Sequence, residues 1–449
     1  MAAAPLATSE VALELDDIQN GALHERPSPY VGRYLLLRID DRAAGHELVR
    51  RLHAVVDTSR LADPVRDARA TVAFTYQGLK QLGVPRESLE SFAPEFQQGM
   101  AARAADIGDV GKSAPENWER PLGTADVHVA VSVLAPDSDR LEEVAARARR
   151  AHEALSGVEV IWRQDCYQLA TGRTSFGFKD GIGQPAIDGS GVDGTNPYQG
   201  AIKAGEFLLG YPDETGELPP MPTPEVLGRN GTYIVFRKLH TRVAAYRRYL
   251  REKATDREDE LLLGAKMVGR WQSGAPLSLS PDEDQPELGA DPHRNNAFSY
   301  GDDPKGIKCP VGAHARRANP RDAFDDDGSV NVRLHQMIRR GTSYGPMLPE
   351  GVLEDDGVDR GIIFIFAGSH LKRQFEFVKT QWLNDGIFIG APTEKDPLVG
   401  SNDDGTFTVP QRPIRRRLQG LPPFVVTRGG EYCFAPGLRA LQWLAELET

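Results

Sequence analysis

Short runs of β-branched and aromatic residues recur along the chain, and each precedes a stretch in which apolar residues have helical spacing. The runs are TVAFT (71–75), VHVAVSVL (127–134), TYIVFRKL (232–239) and GIIFIFAG (361–368). In the stretch after the second run, one helical stripe is formed by Leu141, Val144, Ala145, Ala148 and Leu155. The pattern therefore predicts four strands, each followed by a helix.

A proline-rich segment, ELPPMPTPEVLG (217–228), separates the first two strand–helix units from the last two. A pair of sheets with helices packed on their faces is the simplest architecture that buries all four strands. We therefore predict an α+β protein with an N-terminal half over 1–216 and a C-terminal half over 229–449. Residue identity between the halves is weak, so the repeat is one of element types. The acidic, Gly- and Pro-containing stretch 280–298 is predicted to be a long loop that lines or covers a site.

Composition and charge narrow the function classes. The 449 residues are 40% hydrophobic and 26% charged, and the net charge of −11 argues against nucleic-acid binding, which depends on neutralising phosphates. No run approaches the roughly 18 apolar residues of a membrane span. The first 17 residues contain neither a basic segment nor a twin-arginine pair before an apolar stretch, so we predict a cytoplasmic protein without membrane partners.

An aspartate between glycines is the first candidate for chemistry. Asp180 lies in TSFGFKDGIGQPAI (174–187). Glycines permit positive φ and let the backbone approach a ligand closely, so Asp180 either closes a turn or faces a pocket. The segment alone favours the turn.

A histidine and an arginine pair are the other candidates. His314 lies among small residues in CPVGAHARRANPR (309–321), and Arg339 and Arg340 precede a glycine in MIRRGTSYGP (337–346). Taken singly, these patterns are more typical of a hydrogen-bonded structural histidine and of surface charges. None of the ten histidines forms an HxH or HExxH motif, which gives a multi-histidine zinc site little support. Cys166, Cys309 and Cys433 lie too far apart for a CxxC motif and are predicted to be buried free thiols.

Together and in this order, the GxxDG loop, the histidine segment and the RRGxxYG element resemble the dye-decolorizing peroxidases. The similarity also covers DIQNGAL (17–23), GMAARAADIGD (99–109), GEFLLGYPDE (205–214), MVGRWQSGAP (267–276) and DPLVG (396–400). The longer loops resemble the large bacterial and fungal subfamilies. This resemblance implies a haem b peroxidase built from two ferredoxin-like halves, each an antiparallel sheet with helices packed on it, with the haem held mainly by the C-terminal half.

The resemblance also implies roles for individual residues. His314 is the expected proximal ligand of the haem iron, and Asp396 the expected acceptor for its other ring nitrogen, an arrangement that orients a ligating imidazole. Asp180 and Arg339 are the expected distal pair, because cleavage of a peroxide needs a proton shuttle and a group that stabilises the developing charge. A carboxylate stays ionised in more acidic solution than a histidine, which favours work at acidic pH. Arg340 either shares the role of Arg339 or reaches a haem propionate.

Two apolar residues complete the predicted pocket. Ile362 and Phe364 share one face of a strand by two-residue alternation, and they either keep the distal pocket dry or are plain core residues. The implied substrates are hydrogen peroxide and, as reductants, dyes and phenolic or lignin-like compounds. Manganese(II) is a further candidate reductant, for which the acidic runs 256–260 and 281–287 could serve.

Bulky reductants would need a route to a buried haem through surface aromatic residues. Four are candidates by residue type, although each is more typical of packing: Tyr344, Trp271, Trp382 and Tyr432. Two alternatives keep the haem pocket without peroxidase turnover: extraction of iron from haem, and a haem carrier. The paired Asp180 and Arg339 favour peroxide chemistry, because neither alternative needs both groups.

Overall fold

The computed structural model describes residues 12–60, 67–192, 194, 196–325, 328 and 330–447. The start of the chain, on which the predicted localisation depends, falls largely outside these residues. The strands are β1 (Val31–Ile39), β2 (Arg69–Thr75), β3 (Val129–Ala135), β4 (Val158–Tyr167), β5 (Thr232–Thr241), β6 (Ile338–Tyr344), β7 (Gly361–Gly368), β8 (Gly405–Val409), β9 (Arg416–Leu421) and β10 (Val425–Ala435).

The α-helices lie between these strands and after the last one. They are α1 (Asn20–Leu23), α2 (Arg42–His53), α3 (Tyr76–Gln81), α4 (Arg86–Glu90), α5 (Pro94–Gln98), α6 (Ser138–His152), α7 (Glu225–Gly228), α8 (Val243–Lys253), α9 (Arg257–Val268), α10 (Pro286–Ala290), α11 (His314–Ala318) and α12 (Leu438–Ala445). Two π-helical stretches, Leu371–Glu376 and Val378–Leu383, follow β7. Each of the four predicted strands is thus present, and each is followed by helical structure.

The strands form two antiparallel units with the same internal order. In the N-terminal half the order is β4-β1-β3-β2, and in the C-terminal half it is β10-β5-β7-β6. When the strands of each half are numbered one to four along the chain, both orders read 4-1-3-2. The fold of two ferredoxin-like halves, implied by the resemblance, is confirmed. β8 and β9 form a separate hairpin.

Helix α6 shows how the hydrophobic pattern produces a packed helix. Asp137 accepts a hydrogen bond from the N–H of Arg140 and caps the first turn. The predicted stripe is buried against the sheet, but the helix ends at His152, so Leu155 lies beyond it. Because the spacing of Leu141 and Val144 matches the helical period, the buried face follows directly from the sequence.

The sheets of the two halves meet in two places within the described residues. β2 pairs with β10 through only two residue pairs, Thr75 with Cys433 and Phe74 with Phe434. The two edge strands of the sheet, β4 and β6, also contact each other, and near them the Tyr34 hydroxyl of β1 is hydrogen-bonded to Thr342 of β6 at 3.0 Å. One large core cluster contains buried residues of both halves, so the halves fold against each other.

The cysteines and the helices bear on two further sequence predictions. All three cysteines are free and buried, as predicted. Within the residues that the structure describes, no helix is long and apolar enough to cross a bilayer.

Candidate active site

A cavity of about 800 Å³ lies between the glycine loop, β6, β7 and the short helix α11. Its lining includes the predicted site residues Asp180, His314, Arg339, Ile362 and Phe364. These residues are up to 184 positions apart between Asp180 and Phe364, so the fold alone brings them together. A volume of this size is within the range of cofactor sites.

His314 begins α11 and is oriented by a buried carboxylate. Its Nδ1 lies 2.8 Å from Oδ2 of Asp396, whose side chain is fully buried. The other carboxylate oxygen of Asp396 accepts the backbone N–H groups of Leu398 and Val399. Nδ1 therefore carries the proton, which leaves the lone pair on Nε2, and the described residues offer Nε2 no hydrogen-bond partner.

The charges of this pair stabilise each other. Burial lowers the pKa of His314, but the charge and hydrogen bond of Asp396 outweigh it and raise the pKa above its ordinary value. Burial likewise raises the pKa of Asp396, while His314 and the N–H of Val399 outweigh this and hold it low. Asp396 is thus an ionised acceptor, which strengthens His314 as a donor to a metal.

Asp180 is presented by a loop whose glycines adopt conformations closed to other residues. Gly177 and Gly181 have φ of +91° and +78°. The preceding Lys179 fixes the loop, since its N–H donates to the Gln272 carbonyl and its Nζ to the Gly289 carbonyl. Asp180 itself is anchored weakly and its side chain is 48% exposed, with Arg26 at 3.9 Å. Asp180 can therefore exchange protons with solvent.

The segment after Asp180 docks on the backbone of β6 at Arg339. The Gln184 side chain accepts the backbone N–H of Arg339 at 3.2 Å and donates to the backbone carbonyl of Arg339 at 2.6 Å. This pair of hydrogen bonds is the one that a residue of a neighbouring strand would make. The Arg339 guanidinium in turn donates to the carbonyl of Gly183 at 2.8 Å. Burial lowers the pKa of Arg339 and the charge of Asp180 opposes this. The loop and the arginine therefore hold each other in place.

Two arginines that sequence reasoning did not single out also line the cavity. Arg270 donates to the carbonyls of Gly274 and Asn295, and Arg321 stacks on Phe298 with its guanidinium carbon 3.7 Å from the ring centre. Burial lowers the pKa of both, and for each the charge of Arg339 adds to this effect. Both arginines lie in sequence segments that resemble the family. The resemblance did not distinguish them from Arg316 and Arg317, which have a structural role and donate to backbone carbonyls.

Arg340 differs from its neighbour. Side chains alternate along a strand, and Arg340 lies on the other face of β6 from Arg339, where it donates to the carbonyl of Gly21. It borders the large cavity and also a smaller one between the half-sheets. Arg340 was expected either to share the role of Arg339 or to reach a haem propionate. Both stay predictions, and the position of Arg340 on the opposite face of β6 does not favour them.

The aromatic residues named as surface candidates are all buried. Tyr344, Trp271, Trp382 and Tyr432 are each at most 6% exposed. Trp271 donates to the Ser280 carbonyl, and Tyr432 to Glu376. The packing interpretation is therefore the one that the structure supports.

Comparison with known proteins identifies the family. The chain is 33% identical over 405 residues to the dye-decolorizing peroxidase msp1 of Mycetinis scorodonius, covering 83% of this chain and 75% of the relative. The chain belongs to the dye-decolorizing peroxidase family. The family model "DyP dimeric alpha+beta barrel domain" matches residues 48–160. The multifunctional dye peroxidase DyP2 of Amycolatopsis sp. is 28% identical over 98% of this chain and 97% of its own length.

Solved structures agree with this assignment. A dye-decolorizing peroxidase in complex with 2,6-dimethoxyphenol superposes with a TM-score of 0.84, at 26% identity, over 96% of this chain and all of its own. A shorter similarity, 32% identity over 103 residues, relates 23% of this chain to 18% of a deferrochelatase of Yersinia pestis. This chain is therefore a peroxidase of the dye-decolorizing family, a group of haem enzymes.

The residues around the cavity fit a haem. Its iron needs an axial donor, and Nε2 of His314 is available; its plane needs apolar walls, which Ile362, Phe364 and Leu398 provide. Its propionates need cations. Arg270 and Arg321 line the cavity, and the acceptors that the structure gives them are carbonyl and amide oxygens rather than carboxylates.

Proposed function

We propose that this chain is a haem b peroxidase that reduces hydrogen peroxide and oxidises dyes and phenolic or lignin-like compounds. The observation that carries the proposal is that one cavity holds an imidazole oriented by a buried carboxylate together with the pair Asp180 and Arg339. His314 is the proposed proximal ligand and Asp396 its positioning acceptor. A haem carrier would gain nothing from Asp180 and Arg339.

The residues act by proton transfer and charge stabilisation. Haem bound through His314 supplies the redox chemistry. Asp180 takes a proton from one peroxide oxygen and returns it to the other, which leaves its half-exposed carboxylate ionised for the next turnover. Arg339, held by the Gly183 carbonyl, presents a fixed cation to the oxygen on which charge develops. Ile362 and Phe364, which line the cavity, exclude water beside this pair.

The two halves divide this work in the proposal. The N-terminal half, 1–216, provides Asp180, and the C-terminal half, 229–449, provides His314 and Arg339 together with most of the haem contacts. The linker 217–228 between them contains α7. The equal strand order of the halves supports this division.

The reductant is proposed from the relatives. One structural neighbour was solved with 2,6-dimethoxyphenol, and several curated relatives are named as dye peroxidases. Oxidation of manganese(II) stays a prediction, since one member of the acidic run 256–260, Asp259, is already paired with Arg416 at 2.7 Å. Phenols and dyes are therefore the substrates to test first.

The proposal is tested by mixing the haem-loaded protein with hydrogen peroxide at acidic pH and following the haem spectrum. Asp180→Asn and Arg339→Leu should each slow the reaction by two to four powers of ten while retaining the Soret band, on the order expected for loss of an acid-base group or a charge-stabilising donor. Asp188→Asn, a carboxylate paired with Lys203 outside the cavity lining, is the matched control and should react at the parent rate. Parent rates in both cavity variants would overturn the proposed distal pair.

A further inference from the structure

A second, smaller cavity lies between the two half-sheets, on the side of β6 away from Arg339. Its volume is about 60 Å³, and its walls come from β1, β2, β3, β5, β6, β7 and β10. Two arginines from different halves line it, Arg69 of β2 and Arg340 of β6. Arg69 is 2% and Arg340 7% exposed, so both cations are buried in the interior of the protein.

The hydrogen bonds of these arginines leave donors unused. Arg69 donates to the side-chain oxygen of Asn20 and to the carbonyl of Glu25, and Arg340 donates to the carbonyl of Gly21. Among the residues that the structure describes, no hydrogen-bond partner is found for three buried atoms of these arginines: Nε of Arg69, and Nε and Nη2 of Arg340. Each acceptor that the structure gives them is neutral. A buried donor without a partner is costly, so these atoms favour binding of an acceptor from outside the chain.

The charges around Arg69 and Arg340 also leave the two cations without a buried counter-ion. Burial lowers the pKa of Arg69 to about 9, and the charge of Arg340 adds to this; burial lowers the pKa of Arg340 to about 10. Both guanidinium groups therefore remain cationic at neutral pH. The charge of Asp57 opposes the shift of Arg69 most strongly among the acids, and the charge of Glu25 acts on both arginines. Neither carboxylate is fully buried, and the acceptors that the structure gives the two guanidinium groups include neither of them, so neither replaces a buried counter-ion. Burial also lowers the pKa of His24, which lines the same cavity, so His24 adds no further positive charge there at neutral pH.

We propose that this cavity binds a small monovalent anion of the size of chloride between Arg69 and Arg340. One water occupies roughly 10–15 Å³ of such a volume, so a halide with a water or two fits, whereas a larger organic anion does not. The unpaired Nε and Nη2 of Arg340 and Nε of Arg69 are the donors available to it. The anion neutralises two cations contributed by the two halves, and it stabilises their contact behind the active-site strand.

Bromide provides a direct test of position. Crystals of the haem-loaded protein, grown without halide and soaked in sodium bromide, should show an anomalous peak within hydrogen-bond distance of Nη2 of Arg340. Bromide confined to the protein surface, with only water in the cavity, would overturn the proposal. This measurement uses the unsubstituted protein, so it does not depend on the folding of any variant.

Chloride dependence of stability is the second test. The unfolding temperature of the haem-loaded protein, measured in sodium chloride against sodium gluconate at equal ionic strength, should rise by roughly 2 °C per tenfold increase in chloride above the dissociation constant. Arg340→Met and Arg69→Met should lose this dependence. Arg86→Met, which removes an exposed cation paired with Glu90, is the control and should keep it. A chloride response that persists unchanged in Arg340→Met would place the anion elsewhere and refute the site.

Discussion

A β-carbon on Gly341 would lie 3.1 Å from Oδ2 of Asp180. Gly341 belongs to β6, the strand that also carries Arg339, and its carbonyl accepts the Nε–H of Arg26 at 2.8 Å. The same β-carbon would lie 3.3 Å from the side chain of Ile362. Because Gly341 has no side chain, the carboxylate of Asp180 has room to lie beside β6.

Gly341→Ala should displace Asp180 without touching His314. The added methyl group crowds both Asp180 and Ile362, and the half-exposed carboxylate is the group freer to move. We expect the rate of reaction with hydrogen peroxide to fall by roughly tenfold, since the carboxylate must move by a few tenths of an ångström and misplacement of a catalytic group by about 1 Å costs roughly a hundredfold. Rapid mixing measures the rate, and the Soret band measures retained haem.

Gly183→Ala is the matched control for that substitution. Its β-carbon would meet nothing closer than the Arg339 guanidinium at 3.8 Å, an ordinary contact distance. The control should react within a few-fold of the parent. An unchanged rate in Gly341→Ala would show that Asp180 is not confined by β6.

His314→Ala should yield folded protein with little stably bound haem, because the axial donor is lost. The Soret absorbance per chain after purification measures this. Asp396→Asn should retain haem but alter its spectrum, since a neutral acceptor orients the ring without the full negative charge. His293→Ala, in an exposed loop position, should leave haem content unchanged. Normal haem in His314→Ala would refute the ligand assignment.

Gln184→Ala removes the two hydrogen bonds that dock the glycine loop on Arg339. Each net hydrogen bond contributes about 1 kcal/mol, so the loop should loosen while the fold persists. We expect slower reaction with peroxide, by less than in Arg339→Leu, together with faster amide hydrogen exchange in residues 181–187. Exchange measured by mass spectrometry distinguishes this from a local chemical effect. If exchange in the loop stays at the parent level, Gln184 does not hold it.

Glu431 should make stability fall as pH rises. Burial raises its pKa to about 8, and the N–H of Gly123, which it accepts at 2.6 Å, only partly opposes this. The folded protein therefore holds a proton that the unfolded chain releases near pH 4.5. Between about pH 5 and 8 the free energy of unfolding should decrease by at most about 1.4 kcal/mol per pH unit from this group.

Denaturant unfolding of Glu431→Gln at several pH values checks that slope. The amide keeps the acceptor for Gly123 but has no proton to lose, so the stability of the variant relative to the parent should increase from pH 5 to pH 8. Glu90→Gln, at an exposed position, is the control and should track the parent. A constant difference between Glu431→Gln and the parent would contradict the raised pKa.

Sequence periodicity located four of the eight strands of the large sheet. β2, β3, β5 and β7 were predicted because each is an apolar run before a helix. β1, β4, β6 and β10 were missed; in β6 two arginines and a glycine, and in β10 two glycines, indicate turns instead. In β10 the glycines lie at a register shift after Thr427, a feature that only the pairing with β5 explains. Strands of this kind are specified by their neighbours and not by their own pattern.

The site was predictable to the extent that its residues lie in family motifs. The contact of His314 with Asp396, across 82 positions, was expected from the resemblance alone. The docking of Gln184 on Arg339, across 155 positions, was not predicted, because it depends on tertiary structure. Arg340 was grouped with Arg339 by adjacency, yet strand alternation directs it to the opposite side of β6.

Asp180 and His314 line one cavity but come from different halves, whose sheets are hydrogen-bonded through two residue pairs between β2 and β10. During synthesis, Asp180 leaves the ribosome well before His314, and β6 and β7, which carry Arg339, Ile362 and Phe364, follow later. A nascent chain therefore cannot complete the pocket from its N-terminal half alone, and the order of translation makes the pocket a late product of folding.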